Sequence, residues 1–217
     1  LKELTNLQGL NLYNTQITDA GLVHLKELTN LQSLRLPEQI SDAGFVHLKG
    51  ITNLENLQLT SSTVTDAGLG HLEGMNLKEL DLPAQARTDT GLKHYLAAVA
   101  PPTSLQLNDW KLTDAGLIHL KGLTNLQVLN VVRTRITNAG LVHLQSLIKL
   151  EELSLDGTKV TGAGLMHLKG LTTLQTLNLP YTEVSDAGLV YLKGLTDLQT
   201  LNLNDTKVTD AGLVHLE

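Results

Sequence analysis

The sequence predicts an α/β solenoid, a coil of stacked strand–helix units, and three observations carry that prediction. A phrase of the form Thr-Asp-Ala-Gly-Leu returns nine times, at Asp19, Asp42, Asp66, Asp89, Asp114, Asn138, Gly162, Asp186 and Asp210. Successive copies lie from 23 residues apart (19 to 42) to 25 (89 to 114), a period that belongs to repeat architectures and not to a globule around one enclosed cleft. Within each period the leucines change spacing, from alternate positions to every third. Hydrophobic residues make up 41% of the chain and aromatics only 3%, so leucine must fill a continuous core.

Each element follows from the first copy. Leu10-Asn11-Leu12 alternates apolar and polar, as a half-buried strand does. Thr18 and Asp19 then offer a helix N-cap and a first-turn acid. Leu22, Leu25 and Leu28 follow on one helical face. In later copies Gly50, Gly122, Gly170 and Gly194 follow a lysine where a left-handed helix C-cap is expected. The chain thus reads as a single domain of nine repeats: 1–24, 25–47, 48–71, 72–94, 95–119, 120–143, 144–167, 168–191 and 192–217. It opens inside one repeat at Leu1-Lys2-Glu3-Leu4 and closes inside another at His215-Leu216-Glu217, so a longer array with its caps elsewhere is expected.

The pattern L-x-x-L-x-L-x-x-T-x-I-T-D-A-G-L resembles the leucine-rich-repeat family over essentially the whole chain. It is similar to the bacterial-type repeats of 24 residues and to the cysteine-containing subclass, with Thr15, Thr134, Thr158, Thr182 and Thr206 where that subclass has Cys. The resemblance implies a right-handed horseshoe, with a parallel β-sheet on the concave face and short helices on the convex face. It also implies use as a protein-binding scaffold. The threonine hydroxyls are expected to satisfy loop amides from one repeat to the next. Strands about 4.8 Å apart beside helices about 8–10 Å apart explain why such a stack bends.

Several chemistries find no support. The net charge of −6, without a Lys/Arg cluster, argues against a nucleic-acid partner. No apolar run approaches the length of a membrane span. With no cysteine, disulfides and Cys-type zinc sites are excluded. His24, His47, His71, His94, His119, His143, His167 and His215 share one repeat position. Units related by near-translation keep identical side chains apart, so these histidines read as helix-flank residues bonding adjacent loops, not as a metal ladder. A second reading is pH sensing, because protonating them adds like charges along one edge. The repeated aspartates read as helix-terminal electrostatics and not as general bases. No phosphate-loop or His-x-x-x-His motif is present, and no cofactor is expected.

The copies disagree on and just after the strand, where pleating turns alternate residues away from the core. The candidate binding residues are Tyr13, Arg35, Asp81, Gln106, Asn108, Asp109, Trp110, Asn130, Val132, Arg133, Asp156 and Tyr181. The copies are least regular between Met75 and Val132, with Arg87 where Ile or Val is usual and Val99-Ala100-Pro101-Pro102 in place of Leu-Thr-Asn-Leu. Trp110 is read as an exposed aromatic beside Asp109 and Arg133, the composition of an interaction hot spot. The expected function is a monomeric, non-catalytic scaffold binding a protein partner on its concave face. The alternative is a structural spacer array of a larger, bacterial-type surface protein.

Overall fold

A computed structural model describes residues 4–216. Of the repeat fragments at the two ends, Leu1, Lys2, Glu3 and Glu217 lie outside the described residues. The chain forms two compact units, Leu1–Pro101 and Pro102–Glu217. Their boundary falls in the Pro101-Pro102 pair that marks the least regular part of the sequence, where no backbone N–H is available to continue a ladder.

The first unit carries a parallel sheet of β1 (Gly9–Asn11), β2 (Ser33–Arg35), β3 (Asn56–Gln58) and β4 (Glu79–Asp81), paired in chain order. The second carries β5 (Ser104–Gln106), β6 (Val128–Asn130), β7 (Glu152–Ser154), β8 (Thr176–Asn178) and β9 (Thr200–Asn202), again in order and parallel. Register is the repeat itself: Leu105, Leu129, Leu153, Leu177 and Leu201 stand side by side. Three-residue strands pair only because one apolar side chain per strand locks into this row, and interior members such as Leu153 and Leu177 are wholly buried.

Opposite the sheet, the helical segments are shorter than a conventional amphipathic helix. Four-residue α-turns form at α1 (Asp19–Leu22), α2 (Asp66–Leu69), α4 (Asp114–Leu117), α5 (Asn138–Leu141), α6 (Asp186–Leu189) and α7 (Asp210–Leu213); α3 (Asp89–Ala98) alone reaches ten residues. Most continue as 3₁₀ turns, Val142–Leu144 after α5 for example. The leucine spacing of three is the cause, because a 3₁₀ helix has 3.0 residues per turn. Bonds such as Leu123 N–H to Leu120 O and Leu126 N–H to Leu123 O carry the same step onward. The expected glycine C-caps are therefore corrected: among glycines, positive φ occurs at Gly74 and Gly157 and not at Gly50, Gly122, Gly170 or Gly194.

The repeated phrase is chiefly a joint between neighbours. Thr137 N–H donates to Asp114 Oδ1 at 2.7 Å, and the Thr137 hydroxyl donates to Oδ2 at 2.6 Å. The same pair of bonds joins Asp19 to Ser41, Asp42 to Thr65 and Asp186 to Thr209. The Thr or Ser, not the Asp, is the N-cap; Thr137 Oγ accepts from Ala139 N–H at 3.2 Å. At Asn138 the Thr161 N–H still donates to Oδ1, at 2.8 Å, and only the side-chain bond reverses, Nδ2 donating to Thr161 Oγ at 2.8 Å. At Asp66 only Oδ2 is engaged, by the Thr88 hydroxyl, and the buried Oδ1 has no hydrogen bond. The glycine of the phrase makes room for that carboxylate: a Cβ on Gly44, Gly68, Gly140 or Gly212 would collide with the aspartate of the preceding repeat. Where Gly162 replaces the acid, the backbones of Gly162 and Gly188 close directly on each other.

The threonines after the strands behave differently from expectation. Instead of reaching the next repeat, Thr134, Thr158 and Thr182 donate to the carbonyls of Val131, Leu155 and Leu179 at 2.7, 2.6 and 2.6 Å, three residues back in the same repeat. The tight turn before each threonine brings the carbonyl of its own repeat within reach of the hydroxyl. In the fourth repeat a 3₁₀ turn, Ala84–Ala86, buries Ala86, and Arg87 folds back so that its Nε donates to Leu82 O at 3.0 Å.

Two measurements test the joint. Gly140→Ala is expected to lower unfolding free energy by roughly 1–3 kcal/mol, the range for overpacking. Its cost should shrink in an Asp114→Ala background, so urea melts of the double-mutant cycle must show coupling. The hydrogen bonds from Thr209 hold the Asp186 carboxyl below its ordinary value, with His215 adding to the effect. A depressed folded pKa stabilises fully above the unfolded value and is lost as pH falls through the folded one. Thr209→Val should therefore raise the Asp186 pKa, read by carboxyl NMR titration.

Candidate functional site

The outward side chains of the strands and of the turns that follow build a polar face on each unit. In the first unit, the registers bring Asn11, Arg35, Gln58 and Asp81 into one row. The Arg35 guanidinium lies 4.1 Å from the centre of the Tyr13 ring, a cation–π contact at the edge of that row. Asp81 and Glu79 make the other end of the sheet acidic. Together with burial, which contributes most, they push the Tyr95 hydroxyl above its ordinary pKa.

In the second unit the row is Gln106, Asn130, Ser154, Asn178 and Asn202. Neighbouring side chains bond along it: Asn130 Nδ2 donates to Gln106 Oε1 at 3.1 Å and Asn178 Nδ2 to Ser154 Oγ at 3.0 Å. Asn130 Oδ1 also accepts from Val132 N–H at 3.1 Å. These bonds orient the amides before any ligand arrives. Asn178 and Asn202, absent from the predicted set, belong to the row; their place between the last two strand leucines already signalled it.

One step further, at the turn, the chain adopts a left-handed residue repeatedly: Asn14, Asp109, Arg133, Gly157, Tyr181 and Asp205 have φ between 51° and 64°. Asn, Asp and Gly tolerate that conformation; Arg133 and Tyr181 have no such preference. The turn aims both side chains outward. Arg133 grips Asp109 through two bonds, Nε to Oδ1 at 2.6 Å and Nη2 to Oδ2 at 2.7 Å, the bidentate form of the ion pair. That contact holds the guanidinium above its ordinary pKa. Asn108 Nδ2 reaches Asp109 Oδ2 at 3.4 Å, Asp156 is half-buried beside the turn, and Tyr181 is 66% exposed.

Trp110 corrects the hot-spot expectation. It is only 7% exposed, because it fills the inward slot that Thr134, Thr158 and Thr182 occupy in later repeats. The indole serves the core, and the exposed pair beside it is Asp109 with Arg133.

The histidines sit on the far side of the core from these residues. His94 Nδ1 lies 2.7 Å from Glu73 Oε1 and His167 Nδ1 lies 3.1 Å from Gln145 Nε2, while the buried His143 Nδ1 has no hydrogen bond. Among the described residues, no three His, Asp or Glu side chains gather as a metal ion requires. Among the described residues, no helix is long and apolar enough to cross a membrane.

A family model described as a leucine-rich repeat matches residues 122–144, 170–193 and 194–216. Those three stretches are leucine-rich repeats, and the phrase they contain recurs along the chain. No curated protein matches it. Among solved structures, an internalin (inlF) from Listeria monocytogenes is similar over 100% of this chain, at 23% identity and a TM-score of 0.64. The chain spans 60% of that protein's length. Internalin C2 (inlC2) of the same organism matches at 26% identity and a TM-score of 0.59, over 93% of this chain and 81% of the other. Leucine-rich-repeat proteins typically act as protein-interaction scaffolds and are generally non-catalytic.

The left-handed turn gives a direct prediction. Tyr181→Asn should raise stability by about 1 kcal/mol, the scale of the strain it relieves. Chemical denaturation should show a higher midpoint with an unchanged slope.

Proposed function

We propose that the strand face, the face expected to be concave, binds a protein partner. The observation that carries this reading is the preorganised polar row of the second unit, flanked by the Asp109–Arg133 pair and the exposed Tyr181. Amides fixed by their neighbours lose little freedom on binding. An aromatic ring and a guanidinium supply the side-chain types that dominate interface energy. The Tyr13–Arg35 stack offers the same two types on the first unit. Likeness to the internalin structures supports a bacterial setting for such a scaffold.

The spacer reading draws on a different observation: Asn130, Ser154, Asn178 and Asn202 are small and nearly uniform. The two readings part in one experiment. The immobilised chain is exposed to extracellular protein fractions, and retained proteins are compared for wild type, an Arg133→Ala/Tyr181→Ala strand-face variant and a Val142→Ser helix-side variant. Binding on the strand face predicts a loss of about tenfold or more in affinity for the first variant and little change for the second. Equal retention by all three removes the strand face from consideration.

A further inference from the structure

We infer that the helix side of the second unit is a docking surface for an amphipathic helix of a partner protein, apolar along one stripe and acidic on both flanks. Ile118, Val142, Met166 and Val190 hold one repeat position in four consecutive repeats, and each is between 41% and 48% exposed. The three-residue period of these turns sets an exposed alanine before each of them, at Ala115, Ala139, Ala163 and Ala187, so the apolar stripe is two side chains wide. In the first unit Gly70 and Lys93 interrupt the row.

Cations border the stripe. Lys111, Arg135 and Lys159 are exposed, one per repeat, where the chain runs up to the helical turn. Arg135 N–H donates to Leu112 O and Lys159 N–H to Ile136 O, at 2.9 and 2.8 Å, so the three stack at strand spacing, about 4.8 Å. None of them has an ion-pair partner among the described residues. Like charges in register repel, and an anion from outside relieves that repulsion. The first unit has Gln16, Gln39 and Thr63 at this position, so cation row and apolar row coincide in the same repeats. Past the stripe stand exposed Lys121, Lys169 and Lys193, with Lys149 beyond them. The one acid within 111–125, 135–149 and 159–173 is Asp114, whose two oxygens are taken by Thr137. A chain of net charge −6 thus keeps a cationic face here.

Spacing selects the occupant. Neighbouring helical segments pack about 8–10 Å apart, and seven residues of an α-helix rise about 10.5 Å while returning nearly to the same face. A helix of roughly 20 residues laid across the four repeats meets one row member per heptad, and its acidic flanks meet the two sets of cations. An extended segment covers the same step in about three residues, an odd number, and turns every second contact away. The row also lacks the exposed Trp or Phe that seats a peripheral protein in lipid.

The test is a fluorescence-anisotropy titration with two synthetic helices of about 24 residues, each with a leucine stripe in heptad spacing. One carries Glu on both flanks of the stripe and the other carries Lys. The Glu helix should bind, more weakly as salt rises, and the Lys helix should not. Val142→Asp should weaken binding by about tenfold or more, the scale of a charge set against an apolar contact. Arg135→Glu with Lys159→Glu should lose the Glu helix by about the same factor and gain the Lys helix. Val46→Asp, a similarly exposed change in the first unit, should leave binding unchanged. So should the Arg133→Ala/Tyr181→Ala variant, which separates this surface from the strand face. Circular dichroism confirms that each variant is folded. A chain that binds neither helix, or both alike, overturns the proposal, as do helix-side variants that bind as wild type does. Retention by phosphatidylserine vesicles with no binding of the Glu helix assigns the face to a membrane and overturns it too.

Discussion

A carboxylate that receives both the amide and the hydroxyl of its neighbour's cap is what allows helices of four residues to persist in this chain. One turn of helix is far below the length that stands alone in water. Here most turns begin at a cap fixed from outside, by Asp114 onto Thr137 or Asp186 onto Thr209. The same acid dictates a glycine one repeat later, because only a residue without Cβ leaves it space. The three-residue strands depend on this arrangement. Their single buried leucines align only if consecutive repeats keep one spacing across both layers.

The joint also accounts for the division of labour across the core. Groups that repeat faithfully, namely Asp, Ala, Gly and the leucines, are spent on holding repeats together. Groups that vary project from the strand face or from the left-handed turn. The turn forces whatever occupies it outward, and in the second unit it carries Asp109, Arg133, Gly157, Tyr181 and Asp205 in succession. Side-chain bonds along the amide row and across Asp109–Arg133 then limit how far those groups move.

The period and the switch in leucine spacing made the strand–turn–helix unit legible, down to Leu10 in the sheet and Thr18 before the helix. Helix type was also visible in the spacing of three, although it reads equally as one face of an α-helix. The partner of the aspartate was not legible, since a contact over 22 or 23 residues leaves no local pattern. The left-handed turn was hidden because Arg133 and Tyr181 do not advertise it as glycine does. Trp110 misled for a related reason. A large aromatic in a slot held elsewhere by threonine suggests exposure, and only the packing of the fifth repeat shows that the slot faces inward.

The rungs that depart from the rule have a consequence under acid. The Asp186–Thr209 joint relies on an ionised carboxylate and weakens as it protonates. Asn138–Thr161 has no charge to lose, and Gly162–Gly188 is a contact between backbones. Those two joints are consecutive and tie the sixth, seventh and eighth repeats together. Because stability in such arrays is a sum over neighbours, acidification reorders it. Acid loosens the joint between the eighth and ninth repeats ahead of the two joints that precede it.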